Sequence, residues 1–164
     1  MKHFTLNDLL RQTMIAAIYV VLVLLFQFMS FEKIQFRIAE VLLILVFFDK
    51  KSLIGLVIGT FLANWLWSPF GLIDAVIGSF ATFAGVILMV AFGRIKVIAL
   101  IFPALTNGII IGLMIAYLNQ LPFLPIAVWV FAGEAAVLYL IGLPVYSLLK
   151  RNRAFIELFE TNKK

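Results

Sequence analysis

Arg37 and Glu40 lie three residues apart in the stretch IQFRIAEVL, positions 34–42, set between two oily runs of a chain that is 65% hydrophobic. A lipid-facing helix has use for neither charge. A buried site has use for both, because a carboxylate accepts hydrogen bonds in pairs and a guanidinium donates them in a fixed fork. Asn64, Asp74, Asn107 and Glu134 are set singly into apolar runs in the same way. An ionisable group at the centre of a membrane helix costs ~2.5–3.5 kcal/mol on insertion scales, so each is a functional candidate by default.

Each also has a plain structural reading. Arg37 and Glu40 suit an intrahelical i, i+3 pair. Asp74 suits a cap for the helix that follows the Pro69–Ile73 turn. Asn64 and Asn107 suit interhelical hydrogen bonds. Glu134, deep in an apolar run beside Gly133, has the fewest such explanations. Trp65, Trp67, Trp129, Tyr117 and 17 phenylalanines offer faces on which a flat ring would stack. Trp65 and Trp67 fit an interfacial belt better.

Much chemistry is excluded. There is no Cys, and the one histidine is His3. Serine and cysteine triads, thiolate metal sites and His-rich metal cages are therefore out of reach. No G-x-x-x-x-G-K-[ST] occurs, so the chain has no phosphate loop with which to hydrolyse ATP. We read it as a non-enzyme with no cofactor, dependent on a partner or an ion gradient for any energy it uses.

The positioning elements follow from hydropathy. Mean hydropathy is +1.15, and 13% of residues are charged, about half the share usual in globular proteins. Apolar runs of membrane-spanning length recur between short polar breaks. The expectation is an all-α integral membrane protein, a six-transmembrane-helix bundle with spans near 13–30, 35–48, 52–68, 72–92, 97–118 and 124–149. The run after Arg11 lacks a small-residue cleavage pattern and reads as a retained first helix. The tail Arg153–Glu160 reads as a short interfacial helix. Two stripes, Gly55-Gly59-Ala63 and Gly108-Gly112-Ala116, are suited to close packing, within one bundle or between copies.

Positive charge sets the orientation. With the N-terminus inside, Lys2, Arg11, Lys50, Lys51, Arg94, Lys96, Lys150, Arg151, Arg153, Lys163 and Lys164 all fall on the cytoplasmic side, leaving only Lys33 and Arg37 outside. Both termini are then cytoplasmic in a multi-pass cell-membrane protein. The net charge of +5 is a topology signal rather than a nucleic-acid patch. On this path Glu40, Asn64 and Asp74 lie near the outer ends of their spans, with Asn107 and Glu134 near the midplane. The expected arrangement is a polar cup opening outward above an apolar floor. Three carboxylates against Arg37 favour a cation or a donor-rich heterocycle over an anion.

The segments IQFRIAEVL, FFDKKSLIGLVIGTFLANW, SPFGLIDAVIGSFATFAG, PALTNGIIIG and GEAAVLYLIGLPVY, in this order across residues 15–150, resemble the QueT family. These are substrate-binding S components of energy-coupling-factor transporters, associated with uptake of queuosine precursors. The resemblance implies a six-helix bundle that captures a 7-deazaguanine-type base from outside. Its implied partners are one transmembrane T subunit and two cytoplasmic ATPases, and the loop at 30–37 is implied as part of a lid. The Ala-x-x-x-Ala pattern common on the first helix of S components is replaced here by Thr13-x-x-x-Ala17 and Ala16-Ala17. A guanine-like edge presents adjacent N–H donors that one carboxylate accepts together. On that chemistry Glu134 takes the ring edge, and Asp74 or Glu40 takes an amine-bearing substituent. Asn64, Asn107, Gln35 and Arg37 read carbonyl or ring nitrogen. The alternatives are an S component for another vitamin or purine-like base, and a membrane scaffold whose buried charges pair with one another.

Overall fold

The computed structural model describes residues 4–30 and 36–160. Every regular element among them is helical. Helix α1 spans Leu6–Leu25 and begins earlier than hydropathy suggests, because Thr5 and Asp8 form a reciprocal capping box that satisfies its first-turn N–H groups. The chain continues through the short α2 (Gln27–Ser30), a 3₁₀ segment at Ile38–Phe47, α3 (Ser52–Trp67) and α4 (Leu72–Ala91). It ends with α5 (Lys96–Ala99), α6 (Ile101–Asn119), α7 (Phe123–Ala136), a π segment at Val137–Gly142, α8 (Leu143–Leu149) and α9 (Arg153–Glu160).

Among the described residues, four helical runs are long and apolar enough to cross a membrane: Leu6–Leu25, Leu72–Ala91, Lys96–Asn119 and Phe123–Leu149. Ile38–Phe47 and Ser52–Trp67 are apolar but shorter. The expected fifth and sixth spans are interrupted, and proline explains both. Pro103 has no N–H for the Ala99 carbonyl, and the helix breaks at Leu100. Pro144 likewise cannot bond Leu140, and the preceding turns widen into the π segment. The second expected span departs most. Ten residues in 3₁₀ geometry at ~2.0 Å each reach about 20 Å, where an α-helix of that length would reach about 15 Å.

Packing runs in sequence order: α1 on α3, α3 on α4, α4 on α6, and α6 on α7. The 3₁₀ segment closes the ring against α1 and the π segment. Both glycine stripes are used inside the bundle. A Cβ on Gly59 would stand 2.8 Å from Tyr19 Cβ and 3.2 Å from Ala16 Cα on α1. One on Gly112 would stand 2.8 Å from Ala127 Cα on α7. The α7 contact is with backbone, which cannot swing aside. Gly112→Ala is therefore expected to destabilise the protein by about 1–3 kcal/mol despite the better helix propensity of Ala, seen as a lower thermal midpoint in detergent.

Basic side chains gather at the end of the bundle where α1 begins. Arg11 pairs with Asp49 at 3.1 Å, and Lys51 with Asp8 at 2.5 Å. Helix α9 folds onto this end, with the Phe155 ring 5.2 Å from that of Phe48 and Arg11 5.0 Å above the Phe159 ring. Between this end and the polar residues lies an apolar layer that includes Leu43, Leu56, Val86, Met89, Leu100 and Leu138, all fully buried.

Candidate polar site

The 3₁₀ segment delivers Glu40 to the interior with Arg37 at its mouth, both buried. Their Nη1 and Oε1 atoms are 3.8 Å apart. The other Glu40 contact comes from α1, where the Tyr19 hydroxyl donates to Oε1 at 2.5 Å. Tyr19 sits on the one buried stripe of α1 with Ile15 and Val23.

Asn64 ends α3 and Asp74 opens α4, so a single turn brings them face to face. Asn64 Nδ2 donates to the Asp74 backbone carbonyl at 3.1 Å and lies 3.4 Å from its Oδ1. Asp74 does not cap α4. That position belongs to Gly71, whose φ of 52° falls in the left-handed region that glycine tolerates. Gly78, one turn further along, leaves the room this pair occupies: a Cβ there would collide with Asn64 Nδ2 and approach Asp74 Oδ1 to 3.1 Å.

Asn107 on α6 lies beside the Glu134 carboxylate of α7, and Glu40 acts on Glu134 as a like charge. Arg37 feels Tyr19, Asp74, Glu40 and Glu134 together. Six of the seven residues picked from the sequence, Arg37, Glu40, Asn64, Asp74, Asn107 and Glu134, are thus all buried and belong to two linked groups around one guanidinium. The seventh, Gln35, lies outside the described residues, as does most of the 30–37 loop.

The aromatic expectation fails in part. Tyr117 is 75% exposed and Trp129 41%, so they face outward and supply no stacking platform, while Trp65, 54% exposed, faces outward as a belt residue does. Trp67 packs partly buried against the main core. Among the described residues, four fully buried hydroxyl residues escaped the sequence reading: Tyr19, Thr60 and Thr82, and Ser52 at the start of α3. Thr60 bonds back to the Leu56 carbonyl at 2.9 Å. The buried i, i+4 spacing of Ile15, Tyr19 and Val23 was the available signal for Tyr19.

Around Arg37 the side-chain atoms left over are mainly oxygens, beside the Nε and Nη2 donors of the guanidinium itself. Glu40 Oε2, Asn64 Oδ1, Asn107 Oδ1 and Glu134 Oε1 are buried acceptors without a hydrogen-bond partner among the described residues, and Thr82 Oγ1 joins them. Three carboxylates against one guanidinium also leave a formal surplus of two negative charges. An acceptor left unsatisfied in a dry interior costs ~1–3 kcal/mol. Acceptors of this kind are met by ordered water or by the N–H groups of a ligand.

A multi-pass helical membrane protein that carries a buried, acceptor-rich polar cluster above an apolar layer has the build of a carrier for small molecules. The chain belongs to the QueT transporter family, whose model matches residues 9–151. It is 33% identical over 84 residues to the queuosine precursor transporter QueT of Lactococcus lactis subsp. cremoris (strain MG1363). That alignment covers 50% of this chain and 48% of the relative, so the match spans about half the length of each. No solved structure matches the chain.

Proposed function

We infer that the protein is the substrate-binding S component of an energy-coupling-factor importer and that it captures a 7-deazaguanine-type queuosine precursor from the extracellular side. The observation that carries this reading is the acceptor surplus: four unpartnered carbonyl or carboxylate oxygens buried around Arg37. A 2-amino-pyrimidinone edge offers the adjacent N–H groups such a set lacks. Glu134 accepts from that edge. Arg37, a donor only, suits the ring carbonyl, and Asp74 or Glu40 suits an amine on the substituent. Family membership supports the transport role, and the sequence motifs support the S-component architecture with six crossings and both termini cytoplasmic. The basic residues clustered at the α1 end agree with that orientation under the positive-inside rule. ATP hydrolysis falls to two partner ATPases, coupled through a T subunit, because this chain has no phosphate loop.

The test is a titration of the purified chain, without partners, against 7-deazaguanine bases with and without an amine-bearing substituent, and against riboflavin, thiamine and biotin. Saturable binding of the deazaguanines alone is expected. Binding of one of the vitamins alone would overturn the ligand and keep the architecture. Binding of none, by a folded protein, favours the self-paired scaffold.

A further inference from the structure

At the opposite end of the bundle from the carboxylates, a cavity of about 370 Å³ opens between the close of the 3₁₀ segment and the turn that joins α4 to α5. Lys50, Arg94 and Lys96 line it, against apolar walls that include Phe47 and Val90. No carboxylate lines it among the described residues. Two acids at this end of the bundle are already engaged: Asp49 with Arg11 at 3.1 Å, and Asp8 with Lys51 at 2.5 Å.

One cation is fixed and two are not. Lys96 Nζ donates to the Gly93 carbonyl at 2.6 Å and lies 4.5 Å from the centroid of the Phe47 ring. It is held there although Lys150 repels it. Lys50 and Arg94 are exposed and have no ion-pair or hydrogen-bond partner among the described residues. Like charges brought together without a counter-charge lower one another's stability, and an anion with several acceptor oxygens relieves that repulsion. The flanking residues Phe92, Ile95 and Val97 are exposed and apolar, so a hydrocarbon chain attached to such an anion has a surface to lie along. Basic pockets at the ends of membrane helices recognise phosphate headgroups by this combination.

We propose that the Lys50–Arg94–Lys96 cavity is a binding site for a phosphate-bearing anion, with the headgroup of an anionic phospholipid and soluble phosphate as its two possible sources. Arg94 supplies a bidentate fork, Lys50 a mobile point charge, and Lys96 a fixed one. The site is independent of the carboxylate cluster and of what that cluster binds.

Native mass spectrometry of the purified full chain, exchanged into phosphatidylglycerol or phosphatidylcholine micelles, tests the lipid arm. Thermal denaturation with and without inorganic phosphate tests the soluble arm. Phosphatidylglycerol retained at least tenfold better than phosphatidylcholine, with the preference lost in Lys50→Gln/Arg94→Gln, assigns the site to lipid. Stabilisation by phosphate that the double variant lacks assigns it to a soluble anion. Because neither side chain makes a hydrogen bond or ion pair among the described residues, the double variant should keep the wild-type thermal midpoint in phosphatidylcholine. A folded double variant that retains phosphatidylglycerol and responds to phosphate as the wild type does would overturn the proposal.

Discussion

Glu134→Gln is expected to weaken capture of a 7-deazaguanine base by roughly 10- to 150-fold, corresponding to the ~1.5–3 kcal/mol of a hydrogen bond to a charged group. The amide keeps one acceptor but turns an N–H₂ group toward a ligand edge that is itself a donor. The empty protein should lose little, because the Glu40 repulsion relieved offsets the Asn107 contact and the Arg37 attraction given up. Glu134 Oε1 has no hydrogen-bond partner among the described residues, and Glu40 opposes its charge. Removing that charge relieves the repulsion from Glu40, which outweighs the attraction to Arg37, so the thermal midpoint should hold within about 1 °C. Titration and thermal denaturation on the same sample separate the two readings of the cluster. A binder loses affinity and keeps its stability. A scaffold of self-paired charges loses stability instead.

Arg37→Met should act in the opposite sense. Among the described residues, the guanidinium is the only buried cation beside Glu40, Asp74 and Glu134. Its removal leaves buried carboxylates with no counter-charge, and breaking a buried pair this way costs about 3–5 kcal/mol. Adding Glu40→Gln to the same chain is expected to recover part of that loss, because the stranded charge nearest Arg37 is then gone. Unfolding midpoints for the two single variants and the double variant close a double-mutant cycle whose coupling energy should exceed 1 kcal/mol or so. Additive effects would show that the 3.8 Å separation of Nη1 and Oε1 carries no interaction.

The polar cluster was legible because hydrocarbon surroundings make charged residues rare and therefore conspicuous. Arg37, Glu40, Asn64, Asp74, Asn107 and Glu134 stood out by type alone, and the up-and-down path of the chain placed them at compatible depths. Tyr19, Thr60 and Thr82 did not stand out, since hydroxyl residues are common enough in apolar helices to carry no such signal. The aromatic residues misled for a related reason. A count of rings says nothing of which way they face, and Tyr117 and Trp129 face outward. Helix ends were read from apolar runs, which neither the Thr5–Asp8 capping box nor the breaks forced by Pro103 and Pro144 respect. The 3₁₀ geometry was hidden altogether. Ile38–Phe47 is almost uniformly apolar, and such a run shows no period by which to tell one helix type from another.

That geometry has a consequence for how depth is encoded. At 3.0 residues per turn, every third side chain leaves the segment in the same direction. Arg37, Glu40, Leu43 and Val46 therefore hang in one plumb line, where an α-helix would swing Val46 about 120° away from Glu40. Polarity falls off along that line in single steps, from guanidinium to carboxylate to hydrocarbon. One strand of chain thus draws a sharp waterline down a wall of the molecule, and the ~5 Å it gains over an α-helix lets ten residues draw it from the carboxylate cluster to the rim of the basic cavity.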